Sequence, residues 1–197
     1  MPRPKSYDRE EALTKACNAF WQHGFQALGI RELERRTGVN QFAIRSEFGG
    51  KEGFFLKALQ YYCDAAITTE MAPMKEGGIQ EVIGFLNGLV TPGSMTSSEF
   101  GCLVVNTGIE NARIQSPRLE AAVQAYWATL EDHFRTALEN EQNAQGSGLN
   151  FNATELAQAL IAAVMGVHAR NRTQGSQVAG TPLVKVLTAS LSSLVPE

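Results

Sequence analysis

The sequence has little that would serve catalysis, metal binding or secretion. Its 197 residues hold only three cysteines, Cys17, Cys63 and Cys102, widely spaced and without a CxxC pair. Such spacing gives neither a disulfide framework nor a zinc site, and it fits a reducing cytoplasm. The three histidines, His23, His133 and His168, show no metal-ligand spacing, and no HExxH, GxSxG, GxGxxG or P-loop pattern occurs. The expectation is a protein without a catalytic residue, a metal or a cofactor, and so not an enzyme. The stretch MPRPKSYDREE is charged and lacks the apolar segment of a signal peptide. No apolar run approaches the length of a membrane span. No membrane partner is expected, and the expected location is the cytoplasm.

Hydrophobic residues make up 44% of the chain and charged residues 19%, which is ordinary globular composition. The length allows one large domain or two small ones, with a core that needs no staples. The net charge of −3 conceals an asymmetry: residues 1–62 sum to +3 and residues 63–197 to −6. A basic amino end on an acidic remainder suggests an anionic partner at one end only.

Helical spacing dominates. Ala12, Leu13, Ala16, Cys17, Phe20 and Trp21 recur at i, i+3, i+4. Asp8 suits the N-cap, Glu11 a capping box and Gly24 the stop. A short helix fits 30–37, with Ile30 and Leu33 inward. After Gly38, Asn40 can cap a second short helix whose inner face is Ile44 and Phe48, with Ala43 nearby. Gly49-Gly50 end it, and a longer helix opens at about Lys51 with Phe54, Phe55, Ala58, Leu59 and Tyr62. Pro73, Gly77 and Gly78 predict a break near 72–78. A stripe from Ile79 to Val90, a loop over 92–99 and a helix within 101–114 follow. A long helix then starts at Ser116-Pro117, with Leu119, Val123, Tyr126, Trp127, Leu130, Phe134 and Leu138 on one face. NAQGSGLN is a predicted loop, and helices at about 153–172 and 182–195 complete the chain. No strand pattern survives, so the class is all-α.

Two short helices joined by a turn containing Gly read either as a helix-turn-helix or as a plain helical hairpin. If DNA is the partner, the second helix enters the major groove.

The residues that decide between them are FWQHGFQALGIRELERRTGVNQFAIRSEFGGKEGFFLKAL. This stretch resembles the amino-terminal domain of the tetracycline-repressor (TetR) family of bacterial transcription regulators. Phe20-Trp21, Gly24-Phe25, Ile30, Leu33, Gly38-Val39, Ile44, Phe48, Lys51-Glu52 and Phe55 carry the likeness, in order and with the family's spacing. GCLVVNTGIE resembles a segment found after that domain in one branch of the family. The resemblance implies a three-helix helix-turn-helix domain over 1–52, with helix 4 connecting from about residue 51. It also implies a larger helical domain over 53–197 for ligand binding and dimerisation, the homodimer forming through the last two helices. The function it implies is a ligand-responsive transcriptional regulator, a repressor released from double-stranded operator DNA by a small-molecule effector. The alternative is an all-α small-molecule-binding protein or enzyme without DNA binding.

The resemblance places DNA contacts at Gly29, Arg31, Gln41, Phe42, Ala43, Arg45, Ser46 and Lys51. Lys51 matches the family's phosphate-contacting lysine. Leu28-Gly29 stands where the family usually has a Thr or Ser, so the hydroxyl contact to phosphate is missing; a backbone N–H can replace it. Phe42 replaces a small residue: it either packs on a thymine methyl or is partly buried. Arg45 replaces a Tyr and is able to hold phosphate or guanine. Glu47 would oppose phosphate unless it turns away or pairs with Arg45 or Arg31. Arg3 and Lys5 form an arm that either enters a minor groove or is a solvated tail. Arg35 and Arg36 read as a solvated face or as backbone contacts.

In the larger domain the ligand candidates are Cys102, Asn106, Glu110, Tyr126, Trp127 and His168. Each has a plain alternative as core, cap or solvent-facing residue. Cys102 follows Gly101 at a helix start, where the dipole favours a thiolate able to sense oxidants or electrophiles; the other reading is a small buried residue. The small residues Ala157, Ala159, Ala162, Ala163, Gly166, Ala189 and Ser190 permit close helix approach at the expected dimer face.

Overall fold

The computed structural model describes residues 7–145, 149 and 151–194. Among them lie nine α-helices and no strand: α1 (Arg9–His23), α2 (Ile30–Thr37), α3 (Gln41–Phe48), α4 (Gly50–Ala66), α5 (Ile79–Gly88), α6 (Leu103–Ile114), α7 (Pro117–Gln145), α8 (Ala153–Gln174) and α9 (Thr181–Ser192). The all-α class is therefore correct.

The local signals act as expected at most helix ends. Asp8 accepts the Glu11 N–H at 2.8 Å, and Asn40 accepts the Ala43 N–H at 2.8 Å. The Glu11 carboxylate, however, goes to Lys15 at 2.6 Å. Gly24, Gly38 and Gly49 close α1, α2 and α3 with positive φ. Ser116 caps α7, its hydroxyl accepting the Leu119 N–H at 3.3 Å. Helix α7 runs on to Gln145, into the predicted loop, part of which lies outside the described residues.

Near 72–78 the chain departs from a simple break. Regular α-helix stops at Ala66, and a π-helical turn (Ile67–Met71) and a 3-10 turn (Ala72–Lys75) follow. Thr68 and Thr69 donate to the Asp64 and Ala65 carbonyls, so hydroxyls compete for the acceptors of the i→i+4 ladder. Pro73 lacks the N–H that would continue it.

An aromatic cluster holds the amino-terminal helices together. Phe20 of α1 meets Phe55 of α4 edge-on at 4.7 Å, and Phe48 of α3 meets Phe54 at 4.5 Å. Gly53 makes the α3–α4 junction tight: a Cβ there would stand 1.7 Å from the Phe48 carbonyl oxygen. Leu59, Tyr62 and Ala66 carry the same buried core into the later helices, where Phe85 meets Phe134 at 5.4 Å. The core therefore runs through α4 without interruption. The whole predicted stripe of α7, from Leu119 to Leu138, is buried.

Candidate nucleic-acid interface

Helix α3 has two faces. Ala43, Ile44 and Phe48 are buried, while Phe42, Arg45, Ser46 and Glu47 face outward. Ala43 is 5% exposed and is removed from the predicted contacts. It sits beside Ile44 on the flank of the inward stripe, and Asn40 caps its N–H. Phe42 is 79% exposed, so the partly buried alternative falls. Gln41 is half-buried, and its amide donates to Glu34 at 2.8 Å, which orients the side chain across the α2–α3 turn. The Ser46 hydroxyl turns back to the Phe42 carbonyl at 2.9 Å. Arg45 has no ion-pair or hydrogen-bond partner among the described residues.

Around this face the charges are sorted. Glu47 accepts from the Tyr7 hydroxyl at 2.9 Å, and among the described residues it forms no ion pair with Arg45 or Arg31. Burial and this hydrogen bond push the Tyr7 hydroxyl up to about 12. Arg9 lies over the Phe48 ring at 5.1 Å, so the first turn of α1 packs against the end of α3. Arg35 and Arg36 share Glu32 at 2.6 Å each. Those hydrogen bonds hold the Glu32 carboxyl down at about 2. Arg31 stays exposed at the start of α2. Gly29 gives α2 no side-chain cap, and space for a Cβ there is open. The first amides of α2 are thus available to an anion. Lys51 lies over the Phe25 ring at 4.5 Å and donates to the Gln26 carbonyl at 3.3 Å. Burial lowers its pKa against the upward pull of Glu110. Its ammonium is held beside the loop that enters α2. Arg3 and Lys5 lie outside the described residues.

The six ligand candidates do not converge on one cavity. Tyr126 lines a cleft of about 320 Å³ between α4 and α7, with Leu56, Leu59, Cys63, Asp64 and Thr129 among its neighbours. Trp127 lines another of about 630 Å³ between α6, α7 and α8. Neither lining includes Cys102, Asn106, Glu110 or His168. The Asn106 amide donates to the Phe100 carbonyl at 3.0 Å, a local structural bond. Glu110 accepts the backbone N–H groups of Phe25 at 2.8 Å and Gln26 at 3.2 Å. His168 is buried, and its Nδ1 has no hydrogen-bond partner among the described residues. Cys102 is fully buried, its sulfur accepting from the Tyr62 hydroxyl at 3.5 Å. Burial raises its pKa and outweighs the Tyr62 hydroxyl and the Val104 and Val105 amides, which lower it. Of the two readings of Cys102, the structure fits the small buried residue: the helix-start effect is present, and desolvation exceeds it. Among the described residues no group of three acidic, histidine or cysteine side chains has metal-binding geometry, and no helix is long and apolar enough to cross a membrane.

Comparison with known proteins places this geometry. Residues 12–58, which span α1 to most of α4, match the bacterial regulatory proteins of the tetR family. Those residues carry the amino-terminal domain of the TetR family. Over 107 residues it is 30% identical to the HTH-type transcriptional repressor ComR of Escherichia coli, covering 53% of this chain and 51% of that one. Over 75 residues it is 37% identical to the HTH-type transcriptional repressor AcnR of Corynebacterium glutamicum, covering 38% of each. The match thus spans about half or less of these curated relatives. A regulator of the family from Cytophaga hutchinsonii has the same fold at a TM-score of 0.80, with 15% identity over 96% of this chain and 95% of that one. A cysteine mutant of the TetR-family regulator CifR, solved with 26-base-pair operator DNA, superposes at 0.78 with 20% identity over 98% of this chain and all of that one.

Sequence reasoning missed the ties between the amino-terminal helices and the rest. The Trp21 indole N–H donates to the Gly101 carbonyl at 3.0 Å, and Arg172 donates to the Trp21 and Phe100 carbonyls at 3.2 and 3.0 Å. Glu52 accepts from Ser116 and Arg118. No local spacing signals such bonds. The α4–α7 cleft did leave a signal, because Leu56, Leu59, Gln60, Cys63 and Ile67 share one face of a helix.

Proposed function

We propose that this chain is a sequence-specific DNA-binding transcriptional regulator, a repressor whose grip on its operator is changed by a small molecule. The observation that carries the reading is the outward face of α3, where Phe42 and an unpaired Arg45 stand with nothing of the described chain to occupy them. Gln41, Phe42, Arg45 and Ser46 approach base edges. Gly29, Arg31 and Lys51 hold phosphates through the α2 amides and two cations. The chain acts as a binding module, not an enzyme, in the cytoplasm with its DNA. Residues 1–52 form the DNA-binding part and 53–197 the ligand-binding and dimerising part, with α4 as the element common to both cores.

Two copies pair through α8 and α9. On α8 the small residues Ala159, Ala162 and Gly166 are exposed, and on α9 so are Leu183 and Val186. These are surfaces of the kind a homodimer buries. The effector enters the α4–α7 cleft or the wider one beside Trp127, both mostly apolar. The bonds from Glu110, Gly101 and Arg172 to the amino-terminal helices give such a ligand a mechanical route to the DNA face. An effector alters DNA affinity only by its own preference between the two arrangements.

The test is a gel shift of the full-length protein on the promoter regions of its own and neighbouring genes, across a salt series. Specific retardation that weakens steeply with salt supports the reading. No specific shift at any salt overturns it in favour of a small-molecule-binding protein.

A further inference from the structure

Of the ten phenylalanines, Phe42 alone is exposed. Its ring makes no aromatic or cation contact of the kind that engages Phe20, Phe25, Phe48, Phe54 and Phe55. Nothing in the local fold needs it: phenylalanine is a weaker helix former than alanine at a solvent-facing position. The polar groups around it are already engaged. Asn40 caps the Ala43 N–H, Gln41 holds Glu34, Ser46 bonds back to the Phe42 carbonyl and Glu47 accepts from Tyr7. One turn on, at i+3, stands the free Arg45. The outward side chains of α3 without a partner among the described residues are thus one ring and one guanidinium on the same helix face.

A ring surrounded by Gln41, Arg45, Ser46 and Glu47 is too isolated to make an apolar docking patch for a protein. It is suited to a single apolar group set among polar ones. The major groove offers one such group, the C5-methyl of thymine, while guanine O6 and N7 are the bidentate target for arginine. Positions i and i+3 are separated by about 4.5 Å of helix rise, and base pairs by about 3.4 Å. Two such contacts fall about one or two base pairs apart.

We propose that Phe42 is a specificity-determining residue that reads the 5-methyl group of a thymine in each operator half-site, with a guanine read by Arg45 about one or two base pairs away. This rests on the DNA-binding reading above. Removing the methyl exposes the ring to water where it had been covered, while base pairing and phosphates are unchanged.

The experiment selects binding sites for the full-length protein from a random duplex pool, then replaces each thymine of the enriched site with deoxyuridine. Wild-type protein should lose about three- to fivefold in affinity at one thymine per half-site, the worth of about one buried methyl. Phe42→Ala, which keeps the fold because the ring is outside it, should bind the thymine and deoxyuridine sites equally. Phe42→Leu, which keeps an apolar group, should retain part of the discrimination. An enriched site in which no deoxyuridine matters overturns the proposal and leaves the DNA-binding reading intact, as does a deoxyuridine penalty that persists in Phe42→Ala. A pool that yields no enriched site overturns both.

Discussion

The Glu110 carboxylate of α6 occupies the space that a Cβ on Gly24 would fill: the gap from that Cβ position to Oε1 is 1.9 Å. Gly24 also has φ of +82°, a conformation side chains rarely adopt. The missing side chain admits the carboxylate, which then accepts the Phe25 and Gln26 amides. Gly24→Ala should cost more than about 2 kcal/mol from clash and backbone strain together. Glu110→Ala should cost about 1–3 kcal/mol for the two unmade hydrogen bonds. In the double variant the clash is gone, so urea unfolding should give a loss well below the sum. Strict additivity would show that the two residues do not share this space.

Lys51 donates to the Gln26 carbonyl, yet an ammonium has further protons to offer a phosphate. Lys51→Ala should weaken specific and random duplexes by similar factors. It should also reduce the slope of log affinity against log salt by about one. An unchanged slope would remove Lys51 from the phosphate contacts.

Burial pushes the pKa of His168 down to about 4 from 6.5, and its Nδ1 has no partner among the described residues. The folded protein therefore keeps the ring neutral where the unfolded chain binds a proton. Its contribution is fully present above about pH 6.5 and is lost as pH falls toward about 4. The wild type should lose on the order of 3 kcal/mol more across this window than His168→Leu does. Equal slopes in the two proteins would mean that the ring titrates normally when folded.

Burial raises the pKa of all three thiols, that of Cys17 up to about 12. At pH 8 the native protein should react slowly with a thiol-exchange reagent such as DTNB, half-buried Cys63 first, while unfolded protein titrates three thiols. Rapid stoichiometric labelling of native Cys102 would restore the sensor reading, and Cys102→Ser should then abolish the response to electrophiles.

Much of the fold was legible because its signals are local. Asp8, Asn40 and Ser116 cap the helices that follow them, and the stripe from Leu119 to Leu138 faces inward as its spacing predicts. The division of α3 into an inward and an outward face was legible except at the stripe's edge. Ala43 and Phe42 are neighbours, one buried and one bare, and periodicity does not assign the flank. Glu110 was seen as a ligand candidate because its partners, Phe25 and Gln26, lie about eighty residues away in sequence. At Cys102 the helix-start effect was anticipated correctly, but its balance against burial depends on Tyr62 and the surrounding core.

The most direct measurement is fluorescence anisotropy of the full-length protein on a selected duplex and on a shuffled one, with wild type and Arg45→Ala at one fixed salt concentration. Wild type should prefer the selected duplex by about a thousandfold or more. Arg45→Ala should lower that ratio about tenfold or more while random binding changes little. Equal losses on both duplexes would make Arg45 a phosphate clamp, and no preference in the wild type would contradict the account at its centre.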